Sequence, residues 1–440
     1  MTILDLSLTP ARAALLEGHD TEVHVLVAIA APDAPATTAP RAPLNLAIVL
    51  DRSGSMAGRP LEEAKKCAEH MIRGLTPADR VAVVSFDDHV ETVVPSQDVE
   101  SQDRIAAAVR KIIAGGSTNL HGGWLAGAEN VGARVQPGAL SRVILLTDGQ
   151  ANVGESNPDR IADDCARLAA AGVTTSTYGL GASFNEDLLQ AMASSGGGQS
   201  YFGETAEDLM DPFREEFDLM RAICARKIRL KLEAPRGVEA SVLNLKRVDA
   251  EGRAILPDVA YGGVTWALVR LRVPAGHVET GRSDVHVLTA ELIYETANGE
   301  QRSCAPAHLR LARVPVAAFG AVPEDPVVKA RVQEVRGANL QDLARDAAVK
   351  GDWERVDTLI AEARFEAADN EWAQASISAL ETIAATRDEF RFSKEAAYKS
   401  AKMRARLYDR AEGVGYDEDL EKSKRSYLRR KPQEGKKFEE

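Results

Sequence analysis

Asp51, Ser53 and Ser55 place one carboxylate and two hydroxyls on alternate positions of "VLDRSGSMAGRP", directly after the apolar run "LNLAIVL". Side chains two residues apart in an extended segment point to the same side, so the three oxygens can converge. Such a triplet can serve as a nucleophile, a phosphate loop, a metal site or a polar turn. A phosphate loop needs glycines and a lysine spaced G-x-x-x-x-G-K-[ST], which this stretch lacks, and an acid here would repel phosphate. A serine nucleophile wants a neighbouring base, and "RSGSM" is not the G-x-S-x-G elbow. Two further stretches are rich in oxygen: "GGSTNL", with Ser117 and Thr118, and "TDGQANVG", with Asp148. An all-oxygen set suits a hard octahedral cation, Mg²⁺ or Mn²⁺. Two carboxylates roughly neutralise such an ion, while neutral hydroxyls leave it electrophilic towards a carboxylate from outside.

The elements that must hold these loops alternate between strand and helix from about residue 43 to 224. "LNLAIVL", "RVAVVSF", "VETVVP", "SRVILLTDG" and "VTTSTYGLG" read as strands. Between them lie a helix opened near Pro60, one at about 101–114, one containing Trp124, and one from Asn157-Pro158 to Gly172. Asp211-Pro212 reads as the opening of a last helix carrying Phe213, Phe217, Met220 and Cys224. Strands without polar alternation, separated by amphipathic helices, mean a largely parallel sheet covered on both faces. Ligands of such open sheets sit beyond the carboxyl ends of the strands, where all three oxygen-rich loops fall.

"DRSGS", the threonine of "GSTNL" and "TDG", in that order on successive loops, resemble the metal-ion-dependent adhesion site of von Willebrand factor type A domains. The resemblance covers about 180 residues, and its bacterial, intracellular members are the nearest in kind. It implies that Asp51, Ser53, Ser55, Thr118 and Asp148 are the metal residues, with the hydroxyls ligating directly and the aspartates largely through water. It also implies a doubly wound, Rossmann-like α/β domain with Mg²⁺ (or Mn²⁺) as cofactor. The function it implies is adaptor-like: binding, through the ion, a protein partner that presents Asp or Glu. Intracellular relatives suggest an AAA+ ATPase or a stress-response or signalling complex as that partner.

The flanks have a different pattern. Residues 1–42 contain "ILDLSLTP" and "TEVHVLVAIAAP", and residues 225–321 contain alternating segments such as "KIRLKLEAP", "VTWALVRLRVP" and "DVHVLTAELIYE". Two strands alone are rarely stable, so the two sets are expected to share one antiparallel β-sandwich into which the α/β domain (43–224) is inserted. Strand signals end near 322. Asp325-Pro326, Asp352, Asn370 and Ser393 then read as helix starts of a helical domain over 322–412, with Gly351 a stop, and 413–440 as a flexible tail.

The chain has 440 residues and a formal net charge of −12, which argues against nucleic acid as the main partner. No apolar run reaches the length of a membrane span, and "MTILDLSLTP" lacks the pattern of a secretory signal, so a cytoplasmic protein is expected. Cys67, Cys165, Cys224 and Cys304 lie far apart and read as reduced thiols. His89 in "FDDHVE" reads as a hairpin turn, His121 as a surface residue at a helix start, and Asp87 and Asp88 as a solvated turn. Trp353 and Trp372 read as core. No catalytic constellation emerges, so a non-enzyme is expected; a metal-dependent hydrolase or phosphotransfer component using the same ion is the alternative.

Overall fold

The computed structural model describes residues 4–34, 41–149, 151–181, 184–203, 206–245, 247–277, 283–405 and 408–409. The chain divides into two compact units, Pro40–Ala222 and the segments on either side of it. Three strands precede the inserted unit: β1 (Asp5–Pro10), β2 (Ala14–Leu16) and β3 (Thr21–Ala30).

The inserted unit runs β4 (Leu44–Asp51), α1 (Arg59–Gly74), β5 (Arg80–Phe86), β6 (Val90–Asp98), α2 (Gln102–Arg110), α3 (Leu120–Gly132), β7 (Leu140–Thr147), α4 (Pro158–Ala170), β8 (Val173–Leu180), α5 (Glu186–Gly196), β9 (Gly197–Gly203) and α6 (Ala206–Ala222). Its sheet has the order β6-β5-β4-β7-β8-β9. Every pairing is parallel except the β5–β6 hairpin. Both β4 and β7 are buried along their whole length, which is why each reads as an uninterrupted apolar run. On one face Ala47, Val49, Val84 and Phe86 pack with Trp124, Val143 and Leu145. Helix α3 lies close to the sheet because Gly123 and Gly127 carry no side chain. A Cβ on either would stand 2.4 Å from Phe86 or Val49. Trp124, fully buried, keeps its indole N–H satisfied by donating to Thr175 Oγ1 at 3.0 Å.

Sequence and structure differ in this unit at three places. Pro212 lies inside α6, which starts six residues earlier, so Asp211-Pro212 is not its opening. Cys224 belongs to the strand that follows the helix and is not on the helix. Helix α5 and strand β9 are additions; β9 begins in the glycine run "GGGQS", a composition that ordinarily speaks against a strand.

After α6 come β10 (Ile223–Glu233), β11 (Glu239–Val242), β12 (Ala254–Ile255), β13 (Val259–Ala260), β14 (Gly263–Val273), β15 (Asp284–Thr296), β16 (Gln301–Ser303) and β17 (Ala307–Val314). One sheet has the order β1-β3-β14-β11 and a second β12-β10-β15-β17-β2, so strands from before and after the insertion do share both sheets. Val25, Val27, Ile29, Ala267 and Val269 of the first meet Ile228, Leu230, Val287 and Leu292 of the second in one core. The helices are α7 (Val316–Phe319), α8 (Pro326–Val349), α9 (Trp353–Glu366), α10 (Glu371–Ala384) and α11 (Glu389–Ala405). Val328 and Val335 of α8 pack on Leu26, Trp266 and Leu268 of the sandwich. Asp325, Asp352 and Asn370 cap helices as expected, each accepting from a backbone amide two or three residues on. Ser393 does not: α11 starts four residues before it, and Ser393 is buried within the helix. The expected tail, 413–440, lies outside the described residues.

Candidate metal centre

Asp51 is the last residue of β4, so the strand itself aims its carboxylate at the edge of the sheet. The side chain is fully buried. Its Oδ1 accepts from the Ser53 amide at 2.8 Å and its Oδ2 from the Thr147 hydroxyl at 2.5 Å. The chain then tightens into a 3-10 turn over Gly54–Met56, which brings Ser53 Oγ to 3.2 Å from Ser55 Oγ. Ser55 in turn donates to Asp148 Oδ1 at 2.8 Å, joining the first loop to the one that follows β7.

Thr118 enters from the loop before α3 and is buried. Its carbonyl accepts the Asn152 and Val153 amides at 3.0 and 3.1 Å, and Gly54 N donates to Gly116 O at 3.0 Å. Main-chain bonds thus tie the second loop to both the first and the third. Gly149 marks where they close. A Cβ on it would stand 3.1 Å from Thr118 Oγ1 and 3.3 Å from Asp51 Oδ2, tighter than ordinary contact. The structure therefore brings together Asp51, Ser53, Ser55, Thr118 and Asp148, all five residues singled out in the sequence.

Thr147, which the sequence reading passed over, completes the support. Its hydroxyl donates to Asp51 and accepts from the Gly149 amide at 3.0 Å, so one side chain fixes both the carboxylate and the start of the third loop. The available signal was a lone hydroxyl at the end of the buried run "VILLT".

Electrostatics set the character of this cluster. Burial pushes the Asp51 carboxyl up to about 6, against hydrogen bonds from Ser53 and Thr147 that pull it down, and the nearby Asp148 raises it further. Burial also raises Asp148, opposed by the bond from Ser55. Among the described residues, every hydrogen bond to either carboxylate comes from a hydroxyl or a backbone amide. No Lys, Arg or His among the described residues forms an ion pair with either of them. Two acids held together in low dielectric without a cation are a costly arrangement, and a divalent ion relieves it. Oxygen donors alone also fit a hard cation and not a soft one.

A second group stands beside the first. Asp87, Asp88 and His89, at the β5–β6 turn, bring three atoms of metal-ligating type within 4.8 Å of one another. The expected hairpin turn is there, but it is not merely solvated. Asp87 is buried and forms an ion pair with Arg52 Nε at 3.2 Å, and His89 Nδ1 lies 3.1 Å from Asp88 Oδ2. Asp87 O accepts the Asn119 amide at 2.7 Å, so the turn braces the second loop. Arg52 already offsets Asp87, which distinguishes this group from the Asp51–Asp148 pair. His121 is not a free surface group: its side chain is half-buried and bonded through Nε2 to Asp164 at 3.0 Å. Ser53 and Ser55 bond to each other and Ser55 to Asp148; no imidazole among the described residues bonds to either serine.

These features define a class: an open, mainly parallel α/β sheet whose strand-end loops converge hydroxyls and carboxylates. Residues 45–215 match the family model of the von Willebrand factor type A domain, and the chain carries such a domain. An uncharacterized protein, sll0103, of Synechocystis sp. is 33% identical over 216 residues, covering 48% of this chain and 50% of that protein. Human inter-alpha-trypsin inhibitor heavy chain H3 is 31% identical over 162 residues, covering 35% of this chain and 18% of that protein. The chain thus spans half or less of the length of these curated relatives. Among solved structures, a von Willebrand factor type A protein from Catenulispora acidiphila aligns with a TM-score of 0.70 at 18% identity, covering 91% of this chain and 96% of that one. The ArnB paralog VWA2 from Sulfolobus acidocaldarius aligns at 0.63 and 18%, covering 91% and 98%. Both share the fold over the sandwich and helices as well as the α/β unit. No helix among the described residues is long and apolar enough to cross a membrane.

Gly149→Ala tests the closure of the site. The added methyl must displace Thr118 Oγ1 or Asp51, so Mg²⁺ affinity should fall about tenfold while the circular dichroism spectrum is kept. Unchanged affinity by titration calorimetry would show that the three loops do not act together.

Proposed function

We propose that this protein is a metal-dependent interaction module: Ser53, Ser55 and Thr118 hold a Mg²⁺ or Mn²⁺ ion directly, Asp51 and Asp148 hold it largely through water, and a partner's Asp or Glu completes the set. The observation that carries this reading is the pair of buried carboxylates, meeting hydroxyls, with no cationic side chain among the described residues in ion-pair contact. The ion supplies a positive, electrophilic centre for a carboxylate. The chain's own residues do the rest. Thr147 and the Ser53 amide hold Asp51 in place, Ser55 aligns Asp148, and Asp87 with Arg52 stiffens the neighbouring loop.

The partner is a protein with an exposed acidic residue, and an AAA+ ATPase or a stress-response or signalling complex is the kind proposed, acting in the cytoplasm. The net charge of −12 disfavours nucleic acid as the counterpart. Affinity capture from a native lysate in Mg²⁺, in EDTA and with Asp148→Ala tests the proposal. A partner held only by the wild type in Mg²⁺, and lost when its own contacting Asp or Glu is changed to Ala, is expected. Capture indifferent to EDTA and to Asp148→Ala would overturn it.

A further inference from the structure

The β-sandwich unit contains a cluster that the metal centre does not use. His286 on β15 and His308 on β17 both reach the hydroxyl of Thr289: His286 Nε2 lies 2.9 Å and His308 Nδ1 3.0 Å from Thr289 Oγ1. Their rings stand edge to face, with centroids 5.7 Å apart. Regular alternation along β15 would put residues 286 and 289 on opposite faces of the sheet. They share a face because the register slips between His286 and Leu288, and the two residues of the slip, Val287 and Leu288, are both fully buried in the core. Bulges of this kind re-aim side chains and are over-represented beside functional sites. His286 is half-buried and fixed by its strand, whereas His308 is exposed and able to adjust. On the same face Asp284 forms an ion pair with Arg310 at 3.1 Å; from the segment after β14, His277 Nε2 lies 2.8 Å from the His286 carbonyl.

A threonine hydroxyl has one proton, so it donates to one imidazole and accepts from the other. Two ring nitrogens therefore point at one small oxygen-centred space. We propose that this space is a binding site for a borderline transition-metal ion, Zn²⁺, Ni²⁺ or Cu²⁺, ligated by His286 Nε2 and His308 Nδ1. Each neutral imidazole then keeps its single proton on its other nitrogen, and Thr289 with water fills the remaining positions. Imidazole nitrogen prefers this class of ion to magnesium, so the site is chemically separate from the all-oxygen centre near Asp51. Metal–nitrogen bonds of about 2.0–2.1 Å place the ion beside Thr289 Oγ1 and near the His286 ring, and the exposed His308 ring supplies the adjustment that closes the set.

The test is a Zn²⁺ titration of the full chain by calorimetry in excess Mg²⁺, using wild type, Asp51→Asn, His286→Gln, His308→Gln and Thr289→Val. One Zn²⁺ equivalent is expected in wild type and Asp51→Asn. It should weaken about 100-fold or more in each histidine variant and persist in Thr289→Val, which keeps both rings. Since His308 is exposed, its replacement leaves the fold intact and the result readable. An equivalent that is absent from wild type, or unchanged in either histidine variant, overturns the proposal.

Discussion

Asp51→Asn is expected to abolish the response to Mg²⁺ while leaving the metal-free protein as stable as wild type or more so. The reason lies in the opposite demands placed on one carboxylate. In the metal-free fold its pKa is about 6, above the ordinary 3.8, so the folded chain holds the proton more tightly than the unfolded one. That contribution to stability is full below about pH 4 and is lost as pH rises through 6. At pH 8 the ionised, buried group costs the fold about 3 kcal/mol relative to the neutral acid. Asparagine has no charge to bury; its Oδ1 can still accept from the Ser53 amide, and its NH2 can donate to the Thr147 hydroxyl, which reverses that bond. In EDTA at pH 8 the variant should therefore melt at or above wild type. Added Mg²⁺ at about a hundred times its Kd should stabilise wild type by about 2.7 kcal/mol, roughly 5–10 °C for a unit of this size, and leave the variant unmoved. Protons compete for the same oxygens, so the Mg²⁺ effect should fade below about pH 6. A variant that melts well below wild type in EDTA, or still responds to Mg²⁺, would show that Asp51 is a structural acid.

Glu216→Ala is expected to destabilise the α/β unit by about 3–5 kcal/mol. Glu216 projects from α6 and is 1% exposed. It accepts from Arg142 on β7 at 2.6 Å, from Ser176 at 2.5 Å and from Tyr178 at 3.3 Å, both on β8. Removing it strips the carboxylate that offsets a guanidinium only 3% exposed, and leaves two hydroxyls short of an acceptor. The double variant Arg142→Met, Glu216→Leu removes both charges and should recover most of the loss, as buried pairs replaced together usually do. Urea unfolding of the three proteins measures this. A single variant within 1 kcal/mol of wild type, an order-of-magnitude bound set by ordinary surface changes, would mean that the pair does not hold α6 to the sheet.

The sequence revealed the parts of this molecule whose physics is local. "LNLAIVL" is an uninterrupted apolar run because β4 has a parallel neighbour on each side and is covered on both faces. The alternate spacing of Asp51, Ser53 and Ser55 survives in the structure because a strand end and one 3-10 turn control it. Tertiary features were less visible. Pro212 imitates a helix start, yet α6 continues through it, since the first turns precede the proline and the apolar residues Phe213 and Phe217 are buried. Strand β9 is hidden by its glycines; a Cβ on Gly198 would stand 2.2 Å from Thr175 O, so the strand needs them to approach β8. Thr147 and the Arg142–Glu216 pair acquire their roles only when separate strands and helices meet. The slip in β15 that brings His286 beside Thr289 has no glycine or proline to announce it.

Calorimetric titration of the EDTA-stripped full chain with Mn²⁺ or Mg²⁺ near pH 7.5, beside Asp51→Asn and Asp148→Ala, addresses the metal centre most directly. One ion bound per wild-type chain and none in either variant is the predicted result. Equal binding in all three proteins, or none in wild type, would contradict the assignment of Asp51, Ser53, Ser55, Thr118 and Asp148 as a cation site.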